Sequence, residues 1–250
     1  MTPLEALAIV AAGLAAGTIN TIVGSGSLIT FPALLGLGYS PLIANVSNTV
    51  GLVPGSISGA IGYRRELAGQ RDRVARLAVA GGLGGLTGGL LLLVLPPDAF
   101  ERVVPFLILG ATALVAIGPR LARRMAARRA RGGGHGPALA ASVFATGIYG
   151  GYFGAAQGVI LIALLGVFVP DDLQRLNAAK NVVAAVINAV AAVLFLLVAP
   201  VDPLVAILIA GGSIVGGQLG AILGRRMPSQ ALRLVIIVVG TLVGLRLLAG

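Results

Sequence analysis

The chain has 250 residues, 57% of them hydrophobic and only 10% charged, with a mean hydropathy of +1.01. Its charges fall in short clusters between apolar runs of about twenty residues, the length that crosses roughly 30 Å of hydrocarbon, which excludes a water-soluble domain with polar helix faces. With no cysteine and one isolated histidine, His135, it offers no disulfide, thiolate or metal site and calls for no cofactor; its net charge of +10 resides in arginines at the ends of apolar runs, which read as topology signals and contacts to anionic lipid, not as a nucleic-acid-binding face.

In chain order, the apolar runs predict helices near 4–23, 27–38, 42–63, 74–95, 101–119, 137–153, 157–169, 176–198, 204–223 and 229–248. The start, Met1-Thr2-Pro3-Leu4-Glu5, has no basic region, so the first helix is expected to stay instead of being cleaved as a signal peptide. Eight of the ten segments are long enough to span a membrane. Segments 27–38 and 157–169 are too short, and each follows a glycine-rich break, the pattern of broken or re-entrant helices.

Residues 12–119 are echoed by 146–248 at an offset of roughly 130: Gly13 and Gly17 recur as Gly147 and Gly151, Ala33-Leu34-Leu35-Gly36 as Ala163-Leu164-Leu165-Gly166, Asn48 as Asn181, and Gly110 as Gly240. The division expected is a first repeat over 1–119, a basic linker over 120–136 and a second repeat over 137–250. Arg64, Arg65, Arg71, Arg73 and Arg76 follow the third segment; Arg120, Arg123, Arg124, Arg128, Arg129 and Arg131 separate the halves; Arg225 and Arg226 precede Pro228. The positive-inside rule makes these loops cytoplasmic and puts the arginine-free loops at Pro96-Pro97-Asp98 and Pro200-Val201-Asp202-Pro203 outside. Equivalent loops of the two halves then lie on opposite sides. This predicts inverted repeats, each a glycine-broken hairpin plus three transmembrane helices, in an all-α multi-pass protein of a bacterial inner membrane with both termini outside. The inference requires each short segment to return the chain to its starting side.

Glycines recur every four residues at Gly51-Gly55-Gly59, Gly81-Gly85-Gly89 and Gly212-Gly216-Gly220-Gly224, where small residues let helices approach closely, within one chain or across a homodimer. Gly132-Gly133-Gly134 reads as a flexible linker. Two other clusters, Gly24-Ser25-Gly26-Ser27 and Gly154-Ala155-Ala156-Gln157-Gly158, each precede a short apolar helix. A helix start carries unpaired N–H groups and about half a positive charge, so two such starts converging from opposite halves would form an anion site; the alternative is a pair of turns that only pack. Asn20, Asn45, Asn48, Asn177, Lys180 and Asn181 are the polar residues expected to complete it. Lys180, the single lysine, either attracts the anion or snorkels to the surface. Tyr63 reads as an interface anchor, Tyr149 and Tyr152 as packing residues. No carboxylate lies deep in a span, so a proton, if it is the coupling ion, has no evident acidic carrier.

The run Gly17-x2-Asn20-x3-Gly24-Ser25-Gly26-Ser27-Leu28-Ile29-Thr30-Phe31-Pro32-Ala33-Leu34-Leu35 resembles the first repeat of the TauE/SafE family of sulfite exporters, also called toluene-sulfonate uptake permeases. Ala44-Asn45-Val46-Ser47-Asn48-Thr49-Val50 and Gly62-Tyr63-Arg64-Arg65-Glu66-Leu67 continue the likeness. In the second half, Gly147 to Gly158 and Leu176-Asn177-Ala178-Ala179-Lys180-Asn181 do the same. The resemblance implies a permease for sulfite, sulfonates or related organosulfur anions. Ser25 stands where the family often has a middle glycine, and Ala155-Ala156-Gln157 replaces a glycine-rich second break, so the donors at the expected site differ. The reading that leads is a secondary transporter of small oxyanions working by alternating access, holding its substrate at Asn20, Gly24, Ser25, Gly26, Ser27, Asn45, Asn48, Gly154, Gln157, Gly158, Asn177, Lys180 and Asn181. An anion channel, or a structural subunit of a membrane complex, is the alternative. An enzyme is disfavoured by the lack of Cys, His cluster or embedded carboxylate pair.

Overall fold

The computed structural model describes residues 1–129, 136–225 and 230–249. Arg131, Gly132-Gly133-Gly134, His135, Arg226 and Pro228 lie outside the described residues. The described chain is all helix and turn: α1 (Pro3–Ile22), α2 (Ser27–Gly36), α3 (Pro41–Gly62), α4 (Arg71–Val94), α5 (Pro97–Arg129), α6 (Gly136–Tyr152), α7 (Gln157–Phe168), α8 (Leu173–Val198), α9 (Pro203–Leu223) and α10 (Gln230–Ala249). Five of them, α1, α4, α5, α8 and α9, contain stretches long and apolar enough to cross a membrane. The protein is a polytopic membrane protein. Side chains such as Val94 and Leu197, 80% and 75% exposed, cover the outer faces, as they must where the surrounding solvent is hydrocarbon.

Local chemistry sets the helix starts. Thr2 and Glu5 form a reciprocal capping box with Pro3 in the first turn of α1. The Asp172 carboxylate accepts from Gln174 N at the start of α8, and that of Asp202 accepts from Leu204 N and Val205 N at the start of α9. One boundary differs from the sequence reading: α5 continues to Arg129, through ten residues expected to belong to the linker. Its extension is Arg, Ala, Leu and Met, all strong helix formers, so the basic run lengthens the helix beyond its apolar part.

The glycine stripes pack helix on helix and reveal direction. Gly13 meets Ile209 and Gly17 meets Ser213, so α1 and α9 run the same way; Gly51 meets Ile209 and Gly55 meets Ser213, so α3 runs with them. Gly84 meets Phe144 and Gly88 meets Ile148, so α4 and α6 are parallel, and Gly81 against Val183 with Gly89 against Leu194 adds α8 in the same sense. Between these two trios, Tyr63, the residue that ends α3, packs in one cluster with Ala178 in the second turn of α8, and Ile57 and Ile61 share a groove with Val182 and Val186. There α3 and α8 are antiparallel. Helix α10 is antiparallel to α5, since Gly240 meets Thr112 and Gly244 meets Ile108.

Helices α2 and α7, of 10 and 12 residues, are the shorter apolar helices. Leu37, Gly38 and Tyr39, just past α2, line a cavity with Met1, Glu5 and Ile9 at the start of α1. Leu165 and Val169, at the end of α7, pack in one cluster with Leu139 and Val143 from the first half of α6. Each short helix folds back to the end from which its predecessor began. The ends bearing Arg64, Arg65, Arg71, Arg73 and Arg225 consequently share one face. Both described termini share the other with Asp98 and Asp202.

Candidate functional site

At each break the backbone turns in the same way. Val23 N and Gly24 N both donate to Ile19 O, and Phe153 N and Gly154 N both donate to Tyr149 O, a glycine C-cap closing α1 and α6 alike. Gly24 and Gly154 have φ of +88° and +76°, the left-handed region that glycine enters without strain. The two turns touch: Gly158 N donates to Gly24 O at 3.0 Å, and a Cβ on either glycine would collide with the other's backbone. The predicted Gly24 and Gly158 are therefore brought together, but each serves the other, and the Gly158 N–H is not free for a ligand.

Beside this contact the start of α2 gathers polar groups. Asn48 Nδ2 donates to Ser27 Oγ at 3.1 Å, Thr30 Oγ1 donates to Asn48 Oδ1, and Asn20 Nδ2 donates to Ser56 Oγ at 3.2 Å. Among the described residues, the N–H groups of Ser25, Gly26 and Ser27 reach no backbone carbonyl, as the first turn of a helix requires. Ser25 is 1% exposed and its Oγ has no hydrogen-bond partner. A buried unpaired hydroxyl costs about 1–3 kcal/mol, so its presence calls for a reason.

The start of α7 is built from different residues on the same plan. Gln157 Nε2 donates to Asn188 Oδ1 at 2.7 Å, while Gln157 Oε1 is buried without a partner. Gly150 leaves the space for that amide, since a Cβ there would overlap Gln157 Oε1. Tyr149 OH donates to Ala155 O at 2.5 Å and ties the second break shut, so Tyr149 packs the site and does not line a route. Tyr152 packs edge-on against Phe100 at 5.6 Å. Ala156, the residue before α7, is forced to φ +61°.

The remaining predicted residues hold helix ends across the halves. Lys180 Nζ donates to Asn20 O and Thr21 O, both at 3.1 Å, and Asn177 Nδ2 and Asn181 Nδ2 donate to Thr21 O at 3.2 and 3.3 Å. Those carbonyls end α1, where the helix presents about half a negative charge and unpaired acceptors. Lys180 is 1% exposed, so the expected alternative of snorkelling to the surface is set aside. In the other half Asn45 Nδ2 donates to Tyr152 O, the end of α6, at 3.0 Å. Each half thus caps the first helix of the other.

Thr30, Ser56 and Asn188 complete these clusters and were missing from the expected set. Their signal was helical spacing: Thr30 is one turn beyond Ser27, and Asn188 two turns beyond Asn181. Tyr63 is corrected. It is fully buried beneath the Arg225 guanidinium, 4.8 Å from the ring centroid, and is no interface anchor.

Ion pairs clasp the arginine-bearing ends. Arg225 binds Glu66 at 2.6 and 3.0 Å, and Arg73 binds Asp171 at 2.6 Å; each pair joins the first half to the second. Hydrogen bonding to Arg225 holds the Glu66 carboxyl below its ordinary value. Partial burial pushes Asp171 the other way, but hydrogen bonds from Arg73 and Arg175 outweigh it and lower that carboxyl too.

Comparison with known proteins agrees with this architecture. The family model described as sulfite exporter TauE/SafE matches residues 9–247. The probable membrane transporter protein YfcA of Escherichia coli (strain K12) is 26% identical over 234 residues, covering 93% of this chain and 86% of that protein. A probable membrane transporter protein of Haemophilus influenzae is 30% identical over 209 residues, 84% of this chain and 81% of its own length. The probable membrane transporter protein ORF9 of Sinorhizobium sp. is 25% identical over 241 residues, 94% and 88% of the two chains. No solved structure matches. A membrane protein with two glycine-broken hairpins, matched by one family model over nearly its full length, belongs to the TauE/SafE sulfite exporter family.

Proposed function

We propose that the protein is a secondary transporter of small oxyanions, with sulfite, sulfonates and related organosulfur acids as its substrate class. The observation that carries the reading is the buried, unpartnered Ser25 Oγ at the start of α2, beside free N–H groups and the Ser27–Asn48–Thr30 cluster. Such a start favours an anion through its dipole and its donors together. The substrate class rests on the family and on the name sulfite exporter that its model carries. In this reading Ser25, Gly26, Ser27, Thr30 and Asn48 face the anion, with Asn20 and the Gln157–Asn188 pair beside them. Lys180, Asn177, Asn181 and Asn45 set the frame by capping α1 and α6.

Alternating access follows if the halves over 1–119 and 137–250 are inverted repeats that rock about Gly24 and Gly158. The parallel run of α1 with α3, the parallel run of α6 with α8, and the antiparallel α3 and α8 support the inversion. In the present conformation the site is closed to solvent, with Ser25, Thr30 and Asn48 each 1% exposed. The Glu66–Arg225 and Arg73–Asp171 pairs then hold the arginine-bearing, cytoplasmic side closed. The test is equilibrium binding of sulfite and short alkanesulfonates to the purified protein. Ser25→Ala is expected to weaken binding by about 10-fold or more, the worth of one hydrogen bond to a charged group. Unchanged affinity in Ser25→Ala would remove the proposed site.

A further inference from the structure

We propose that one anionic phospholipid binds across the seam between α3 and α8, its acyl chain along Ile57, Ile61, Val182 and Val186 and its phosphate at Arg64 and Arg65. Two cavities meet at Arg64. One is a groove of about 420 Å³ between α3 and α8, whose lining is apolar apart from Arg64. The other, of about 350 Å³ at the end of α3 and α9, is lined by Arg64, Arg65, Glu66, Gln218 and Arg225. Glu66 is already taken by Arg225, so among the described residues Arg64 and Arg65 enter no ion pair. The basic pocket therefore holds uncompensated positive charge directly beside an apolar slot.

The geometry fits a lipid standing in the leaflet. Ile57 lies five residues, about 8 Å, before α3 ends at Gly62, so the groove descends from the arginines just past that end into the apolar zone. Ile57 and Ile61 are 47% and 53% exposed, and the groove opens sideways to the bilayer. A second copy of the chain is a poorer occupant. A two-fold contact over this groove would bring two Arg64–Arg65 clusters to the same level, face to face and unneutralised. A phosphate headgroup neutralises them instead, at the face where anionic lipid is concentrated. Because α3 and α8 come from opposite halves, the bound lipid touches both. This site stands whether or not the protein transports an anion.

Native mass spectrometry of the full-length protein in detergent tests it, with phosphatidylglycerol, phosphatidylcholine of the same chains, and inorganic phosphate as probes. Phosphatidylglycerol is expected to bind, unaffected by phosphatidylcholine or by phosphate at equal concentration. The Arg64→Gln/Arg65→Gln variant is expected to bind it about 30-fold more weakly, and Arg65→Gln alone about 5-fold, which serves if the double variant does not fold. Arg76→Gln, an exposed arginine on α4 away from both cavities, is expected to match wild type. Unchanged affinity in the arginine variants overturns the proposal. So does displacement by inorganic phosphate, which marks a free-anion site, or a wild-type dimer that Ile61→Arg converts to monomer, which marks the groove as covered by a second copy.

Discussion

At the scale of single residues, Ser25 and Lys180 separate two kinds of buried polar group. Ser25 Oγ has no protein partner, so Ser25→Ala should leave the thermal midpoint unchanged or raise it while weakening anion binding. Lys180 Nζ is satisfied by Asn20 O and Thr21 O, so Lys180→Ala should lower stability, by about 2 kcal/mol for a buried donor lost from a helix end, while changing affinity far less. The reverse pattern, a stable Lys180→Ala protein that no longer binds sulfite, would return the lysine to the substrate. Ala156 offers a third prediction. A non-glycine residue in the left-handed region costs roughly 1 kcal/mol, so Ala156→Gly should raise the thermal midpoint, measured in the same detergent. Sequence located these residues but not their partners. Lys180 stood out because buried cations are rare, yet nothing in a linear pattern shows that the end of α1 lies opposite it. Ser25 looked like one of several donors, and only the absence of a partner sets it apart.

At the scale of elements, the glycines divide by what faces them. A Cβ on Gly88 would overlap the Ile148 carbonyl and press on Tyr152 N, both rigid backbone, so Gly88→Ala should separate α4 from α6 and cost about 3 kcal/mol. Gly36→Ala meets nothing within 4 Å and should be neutral or stabilising, which makes it the matched control in one unfolding series. The four-residue spacing announced close helix contacts, because no other residue lets backbones approach so far in lipid. It did not reveal Gly24 against Gly158, since neither belongs to a stripe. The ion pairs between halves give a pH prediction. Glu66 and Asp171 both titrate below their ordinary values when folded, so between those lowered values and about 4 the unfolded chain binds more protons. Their stabilisation is complete above the unfolded value and is lost as pH falls through the folded ones. A Glu66→Gln protein should therefore show a shallower fall of thermal midpoint below pH 5 than wild type.

At the scale of the whole molecule, the ten predicted segments match the ten helices within a few residues, apart from the extension of α5 to Arg129. Long apolar runs and glycine breaks are strong local signals, so the all-helical membrane fold was legible. The pairing of α1 with α9 and of α4 with α6 was not, because each joins segments far apart in the chain with no charged complement to mark it. The arginine pattern requires a hairpin that returns to its starting side, and Leu37 to Tyr39, just past α2, do lie against the start of α1. What the fold leaves to experiment is whether the two halves move about the breaks. Counterflow of radiolabelled sulfite in proteoliposomes measures that directly. A transporter with an alternating site at Ser25 and Ser27 predicts transient accumulation of label above equilibrium when unlabelled sulfite is loaded inside, and its loss in Ser25→Ala/Ser27→Ala. Label that merely equilibrates, or an overshoot that persists in that variant, would contradict the account.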